Sequence, residues 1–593
     1  MRLELLLPLD LKSNTSLSTS KYVHMSVCML ALLACMLVTR PFVSLGLMDD
    51  WSYIWTARVL ADTGRLTFNG WGAMPLGWMA YLGALFIKSF GFSFTIARSS
   101  VMVVSLLGAA LTQRAFVRTG ASEWTATIAT LTLVLSPLYL PVSVSFMTDA
   151  PALVVLVLCV YCCLRAFQAD SDKATLIWLA CATLSNLAGG TVRQTAWLGA
   201  LVIVPSAVCY MRQRRHFLLA GAGLWVISGL TVALYLRWFR AHPYTVADKI
   251  FYRYHFYSIL YAADTALVAL TCLLPVMSAF VIKYPVGGRR TRNIAAITGA
   301  IVGALFFCWA RTTPRNYFSV FKNIPFGFPG NYLTIKGVGG TAILGDGPDV
   351  APTIVRFVIV VATFSAFCSF ISCFRNARSA LFAADKNKAS DQHGYLHISN
   401  GYLVTLLAPF VVVYLFLIVT RASVWDRYYL PLQFIFTLGL IRIYRQTISE
   451  RLPSLSLILG VVFAAYAVVT THDLFALSRA RLDAANEILA AGVSRTAIEA
   501  GFEYDGWTQL EQTGYVNEIR ILLPADAYRQ WVPPNAPVSC IGWFRSYTPS
   551  IHPEFHLSHV PDNNCYGPSQ FPPLAYETWL PPRRRTIYIL QSH

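Results

Sequence analysis

A chain of 593 residues that is 56% hydrophobic and only 13% charged is not built as an ordinary soluble protein, because soluble domains carry about 25% charged residues. Much of its surface must face lipid. The net charge of +18 does not point to nucleic acid, since the basic residues sit in short clusters between apolar runs, where they mark loops beside anionic lipid.

Residues 1–21 read as a cytoplasmic N-terminus. Apolar runs then fall at roughly 22–47, 74–90, 96–117, 122–144, 150–167, 174–190, 194–211, 216–238, 263–283, 293–310, 353–374, 399–420, 428–444 and 453–471. Crossing about 30 Å of hydrocarbon takes about 20 apolar residues in a helix, because lipid offers the backbone no hydrogen-bond partner. The 74–90 run is short, begins near Pro75 and Gly77, and carries Lys88. If it lies at the interface and does not cross, the loops holding Arg114, Arg118, Arg165, Arg212, Arg289, Arg375, Arg442 and Arg445 all share the side of the N-terminus. That is what the positive-inside bias requires. The expectation is an all-α polytopic bundle of about 13 transmembrane helices over 22–472, in a bacterial inner membrane, with outer loops at 46–95 and 311–352.

The remainder, 473–593, reads as a small extracytoplasmic α/β domain. Residues 474–491 have the spacing of an amphipathic helix. PVSCIGWF (537–544) and RRTIYILQ (584–591) read as strands between Pro-rich connectors. Of thirteen cysteines, all but Cys540 and Cys565 lie in apolar runs, where Cys is a small buried hydrophobe. Those two could pair in an oxidising compartment.

Four motifs carry chemistry. Asp49-Asp50 follows the first run, with Tyr53 and Arg58 close behind. One carboxylate could take the proton from an acceptor hydroxyl, or the pair could cap the next helix. Asp149, in Thr148-Asp149-Ala150-Pro151, offers the same two readings. Asp49 and Asp149 are also candidate ligands of a divalent cation. Arg193 stands at a helix start, where a cation is disfavoured; a phosphate or the carboxylate of Asp149 would explain it. Asp426-Arg427-Tyr428-Tyr429 sits at an outer boundary, as a phosphate site or as interfacial anchors. Loop 239–262 interleaves aromatics with Arg240, Lys249 and Arg253, which suits a prenyl phosphate or an aromatic belt.

Taken together, the acidic pair in the first outer loop, the Asp149 element and Arg427-Tyr428-Tyr429-Leu430-Pro431 resemble the GT-C membrane glycosyltransferases. The resemblance is to the bacterial branch related to protein O-mannosyltransferases and the aminoarabinose transferase of lipid A. It covers about 22–471. It implies a polyprenyl-phosphate-linked sugar as donor, and a lipid, glycan or protein hydroxyl as acceptor, with inversion at the anomeric carbon. It also implies Asp49 as base, with Asp50 and Asp149 as further acids. Tyr53, Arg58, Arg193, Arg253, Arg427 and Tyr428 would then bind substrate or phosphate. The chain departs from the pattern in having Asp-Asp in place of Asp-Glu. It also has Gly72-Ala73-Met74-Pro75 where relatives carry an acid and a Lys, which puts the aminoarabinose activity in doubt. The alternative is a polytopic lipid or sugar transporter or flippase. Against it stands the placing of Asp149, Asp264 and Asp426 at the ends of runs, since coupled transporters put ionisable groups near the midplane.

Overall fold

The computed structural model describes residues 11–211, 215–246, 256–283, 288–313, 317–327, 330–339, 343–345, 347–388, 398–421, 423–532, 537, 540–562 and 564–592. Arg253, Arg212, Lys249 and the Pro533-Pro534 connector lie outside the described residues.

The chain is mostly helical, with a sheet-containing C-terminal domain. Among the described residues seven helices are long and apolar enough to cross a membrane, or eight if the bent pair Phe256–Cys272 and Leu274–Ile282 makes one span. Several show wide apolar faces to the outside, as at Leu219, Leu230, Leu305, Ile354 and Val412. This is an integral, multi-pass membrane protein. The seven or eight helices that pass by length and composition fall short of the thirteen expected from the sequence. Other apolar runs are short or broken, such as Glu123–Val134 (12 residues) and the stretch Gln194–Tyr210. The helix Gly77–Phe90 has 14 residues, about 21 Å at 1.5 Å per residue, too short to span the hydrocarbon.

The helix starts follow local chemistry. Ser93 accepts from the Ile96 N–H at the start of Phe94–Arg118, and Ser171 accepts from Ala174 N–H at the start of Asp172–Gly190. Such caps satisfy donors that have no partner within the helix. The helix Asp50–Thr63 ends at Gly64, whose φ of 71° lies in the left-handed region that suits glycine there.

Two ends of the bundle differ. At one, Arg442 donates to the carbonyls of Thr119 and Ile398, and Arg114 pairs with Glu123 at 2.7 Å. At the other lie Asp49, Asp149, Asp426 and the C-terminal domain. The expected amphipathic helix at 474–491 is not separate. It continues the last span as one 37-residue helix, Ser454–Ala490, because no Gly or Pro interrupts the sequence between 461 and 490. Four strands then pair in the order Ile498–Glu499, Phe555–Ser558, Pro582–Ser592, Tyr566–Pro568, with Leu574–Trp579 also on Pro582–Ser592. The 584–591 segment is therefore a strand. The described part of 537–544 is not: Cys540 N–H turns back to Pro537 O, and Cys540 is disulfide-bonded to Cys565.

The C-terminal domain docks on the acid-bearing end. Glu503 accepts from Met48 N–H at 3.3 Å and from Arg481 at 2.8 Å. Trp51 packs edge-on to Phe544, and a Cβ on Gly506 would meet the Trp51 ring at 2.7 Å. On the other side, Leu344 N–H donates to Leu557 O, and His559 N–H to Leu344 O. The domain thus braces both the Asp49 loop and the loop that precedes Thr353.

Candidate active site

The two adjacent aspartates do different jobs. Asp50 is fully buried. Its Oδ2 accepts from Arg98 Nε at 2.8 Å and from Phe146 N–H at 3.2 Å; its Oδ1 accepts from Leu47 N–H at 2.6 Å and from Arg98 Nη2 at 3.3 Å. Arg98 also donates to the carbonyls of Val43 and Leu45. Charge and backbone are thus satisfied within the protein, as a buried ion pair requires. Asp50 ties the end of the first helix to the Phe94–Arg118 helix and has no face open to a substrate.

Asp49 turns the other way. Its side chain makes no cap hydrogen bond, although it occupies the cap position of Asp50–Thr63. Oδ1 accepts from Trp71 Nε1 at 2.9 Å, and Oδ2 faces Arg427 Nη2 at 3.4 Å. The Asp49 side chain is 25% exposed, against 2% for Asp149 and 0% for Asp50. It is the one carboxylate of the three that a molecule from outside can approach.

Arg427 links the set. Its Nε lies 3.6 Å from Asp149 Oδ2 while Nη2 reaches Asp49. Asp149 Oδ1 pairs with Arg193 Nη1 at 2.8 Å, and Arg193 Nη1 also donates to Thr148 Oγ1. Asp149 Oδ2 and Arg427 Nε are buried without a hydrogen-bond partner. Burial alone would depress the Arg193 and Arg427 pKa values, but Asp149 and neighbouring tyrosines outweigh it and hold both above the ordinary range. The Tyr428 ring lies under Arg193 at 4.6 Å and the Tyr332 ring under Arg427 at 5.3 Å, placements that favour a cation over the ring face. Tyr53 is buried beside this set. Burial, then the Asp49 charge, pushes its hydroxyl pKa well up, so Tyr53 keeps its proton and is not a base at neutral pH.

Asp426 holds Arg427 in place. It is fully buried and accepts from the N–H groups of Tyr332, Leu333 and Arg427 at 3.1, 2.8 and 2.8 Å. A cleft runs from Asp149, Arg193 and Arg427 between apolar side chains, among them Leu156, Phe410 and Tyr414. A second cleft shares Arg193 and Tyr414 and reaches Arg421 and Leu417. Cations at the head and apolar walls behind fit an amphiphile with an anionic head.

Of the residues singled out in the sequence, Asp49, Tyr53, Asp149, Arg193, Arg427 and Tyr428 come together. Asp50 lies behind them. Arg58 does not join: its guanidinium sits 3.8 Å from Asp62 and over the rings of Phe92 and Trp507. Eight positions on from Asp50, it is turned outward on the interfacial helix. The donor set does not suit a divalent cation. Arg427 occupies the space between Asp49 and Asp149, and no group of three or more His, Cys, Asp or Glu able to hold a metal occurs among the described residues. Trp71, Tyr332 and Arg98 were not singled out from sequence. Arg98 had a signal, as a lone cation at the outer start of an apolar run.

No protein-family model matches the chain, and no curated protein matches it. Solved structures similar to it include ArnT from Cupriavidus metallidurans in the apo state (14% identity, 79% of this chain, 80% of that chain, TM-score 0.37). The same protein bound to undecaprenyl phosphate is also similar (12% identity, 94% and 97%, TM-score 0.38). A third is the apo oligosaccharyltransferase of Archaeoglobus fulgidus (14% identity, 79% and 58%, TM-score 0.38).

Proposed function

We propose that this chain is a membrane glycosyltransferase that moves a sugar from a polyprenyl-phosphate donor to an acceptor hydroxyl at the outer face. The observation that carries the reading is the linked set Asp49–Arg427–Asp149–Arg193. Its members come from four distant segments and meet at the acid-bearing end of the bundle, and three of them, Asp149, Arg193 and Arg427, head a cleft with apolar walls, with Asp49 held beside it by Arg427.

In this reading the donor phosphate sits at Arg193 and Arg427, with its prenyl chain along the apolar side of the cleft. Asp49 accepts the proton of the acceptor hydroxyl as its oxygen bonds to the anomeric carbon. The bond from that carbon to the phosphate oxygen breaks on the opposite side, so configuration inverts and polyprenyl phosphate leaves with both electrons. Charge then grows on the phosphate, and fixed cations in a dry site stabilise that growth more than they stabilise the ground state. Asp149 keeps the two guanidiniums apart and oriented. Trp71 fixes Asp49 through Oδ1 and leaves Oδ2 toward the site. The C-terminal domain lies on the same, outer, side.

The test is transfer from radiolabelled polyprenyl-phosphate sugars in membranes expressing wild type, Asp49→Asn or Asp149→Asn at matched levels. The proposal expects an acceptor to be labelled by wild type and by neither variant. No transfer across a broad donor and acceptor panel, or normal transfer by both variants, would overturn it.

One observation favours the transporter reading. The helix Phe256–Cys272 places Asp264 in its middle, almost fully buried, rather than at an end as the run at 263–283 suggested. Asp264→Asn should leave transfer intact if the transferase reading is right, whereas loss of a proton- or sodium-driven lipid flux would favour the alternative.

A further inference from the structure

The C-terminal domain exposes its large apolar side chains mainly in one place. Among the described residues of 473–592, Ile519, Leu522, Leu523, Tyr528, Val532 and Trp543 are exposed, and all but Trp543 fall within 519–532. Ile519 is 69% exposed, Leu522 57% and Leu523 43%. Single exposed apolar residues need no explanation, but a cluster of them marks a surface that something covers.

The stretch is stitched to the end of a membrane span. The span Phe217–Arg240 is only 17% buried and presents Leu230, Leu234 and Trp238 outward. Past its end the chain turns at once: Ala241 N–H donates to Arg237 O, His242 N–H to Phe239 O, and Tyr244 has a φ of 58°. There Tyr244 N–H donates to Leu523 O at 2.6 Å, Val246 bridges to Ile521, and the Tyr244 ring stacks on Tyr515. Ile521 faces inward and forms a small core with Val246 and Ala527 against Ala73. Leu522 and Leu523 beside it stay exposed, at the edge of a surface that lipid already covers. That continuity makes the bilayer the occupant of this face. Asp526 and Arg529 are exposed in the same stretch. They set its depth at the boundary between headgroups and acyl chains, where apolar side chains are buried while charges stay wet.

The same stretch braces the turn that carries Trp71. Val516 N–H donates to Asn69 O at 2.9 Å, and a Cβ on Gly70 would meet Ile521 Cδ1 at 2.5 Å. Asn69 Oδ1 accepts from Ser52 Oγ at 2.8 Å and from Trp71 N–H at 3.3 Å, and Trp71 Nε1 holds Asp49.

We propose that 519–532 is a membrane seat, whose apolar side chains enter the leaflet on the side of the C-terminal domain and steady the turn that presents Trp71 to Asp49. The lipid contact stands alone; only the bearing of Trp71 on catalysis rests on the transferase reading. The test uses the full chain in lipid nanodiscs holding one copy each. Because the described residues include eleven free cysteines, an environment-sensitive fluorescent amino acid is placed genetically at Ile519, Leu522 or Ala491. Ala491 is the control, since it is exposed at the far end of a 37-residue helix, well beyond the roughly 20 residues of a span. Lipid with a nitroxide near the top of its acyl chain should quench the probes at Ile519 and Leu522 about twofold or more, as expected for side chains at that depth, and leave the probe at Ala491 bright. In the second arm, Leu522→Glu with Leu523→Glu should speed amide exchange over 69–71 about fivefold or more. The strands Ile498–Glu499 and Phe555–Ser558 should exchange as in wild type. Leu522→Ser with Leu523→Ser is the milder pair should the first fail to fold. Bright probes at both Ile519 and Leu522 would mean that water or protein covers the face and would overturn the proposal, as would equal quenching at Ala491 or unchanged exchange over 69–71 in a folded pair variant. Quenching and altered exchange in a protein that transfers to no acceptor would leave the seat standing and sink the transferase reading alone.

Discussion

Asp49 and Asp50 are neighbours in sequence, yet replacing each by Asn should damage the protein in opposite ways. Asp50 and Arg98 are at most 1% exposed, and the carboxylate receives two guanidinium and two backbone hydrogen bonds. Asp50→Asn removes the charge, strands the Arg98 cation in the interior, and gives the single amide oxygen four donors to serve. Breaking a buried pair on one side costs about 3–5 kcal/mol. At 1.4 kcal/mol per tenfold, that lowers the folded fraction's equilibrium about a hundred- to several-thousand-fold. Asp49 is a quarter exposed and has one firm bond, from Trp71. Asn keeps an oxygen for Trp71 and leaves Arg427 its second carboxylate, Asp149, so Asp49→Asn should cost stability about 1 kcal/mol or less, while transfer falls at least a hundredfold because the proposed base is gone. The assay is thermal challenge in detergent followed by size-exclusion chromatography, run beside transfer in the same preparations. The reasoning fails if Asp50→Asn melts like wild type, or if Asp49→Asn is the variant that unfolds.

Four further outcomes follow from the same geometry. Arg427→Lys keeps the charge but cannot reach Asp49 and Asp149 at once, and transfer should drop about 10²- to 10³-fold, read as kcat at saturating donor. Trp71→Phe removes a hydrogen bond to a charged group, about 1.5–3 kcal/mol, and should slow transfer about ten- to a hundredfold with no change in donor affinity. Burial, reinforced by Glu499, pushes the Asp505 carboxyl pKa well up in the folded C-terminal domain. The stability that Asp505 contributes is therefore fully present below the ordinary carboxyl range and is lost as pH rises through its folded pKa, and Asp505→Asn should remove that part of the pH dependence measured by urea unfolding. Cys540→Ser opens a loop with a sequence separation of 25, at a cost of about 2–4 kcal/mol, and should make the C-terminal domain sensitive to limited proteolysis.

How much of this was legible beforehand differs by level. The membrane class could be read from composition. Asp49, Asp149, Arg193 and Arg427 could each be flagged, since each places a charge at the end of an apolar run. Their convergence could not be read, because Asp49 and Arg427 are nearly the whole chain apart and nothing local encodes the contact. The sequence alone groups Asp50 with Asp49; burial decides between them, and burial is a property of the fold. Trp71 carried no signal, being one aromatic among many at an interface. Tyr332 sits in a Gly-rich loop whose fold depends on three N–H bonds to Asp426, two of them from that loop. The helix at 474–491 carries on from the preceding span, and the absence of Gly and Pro from 461–490 is the sequence signal for that continuity.

The most direct measurement is a stoichiometric one on purified protein in lipid nanodiscs, following polyprenyl phosphate released and acceptor labelled from the same donor. The account predicts the two in equal amounts, with inverted configuration at the new bond, and neither from Asp49→Asn that has passed the stability assay. Release of polyprenyl phosphate without labelled acceptor, retained configuration, or full activity in folded Asp49→Asn would contradict it.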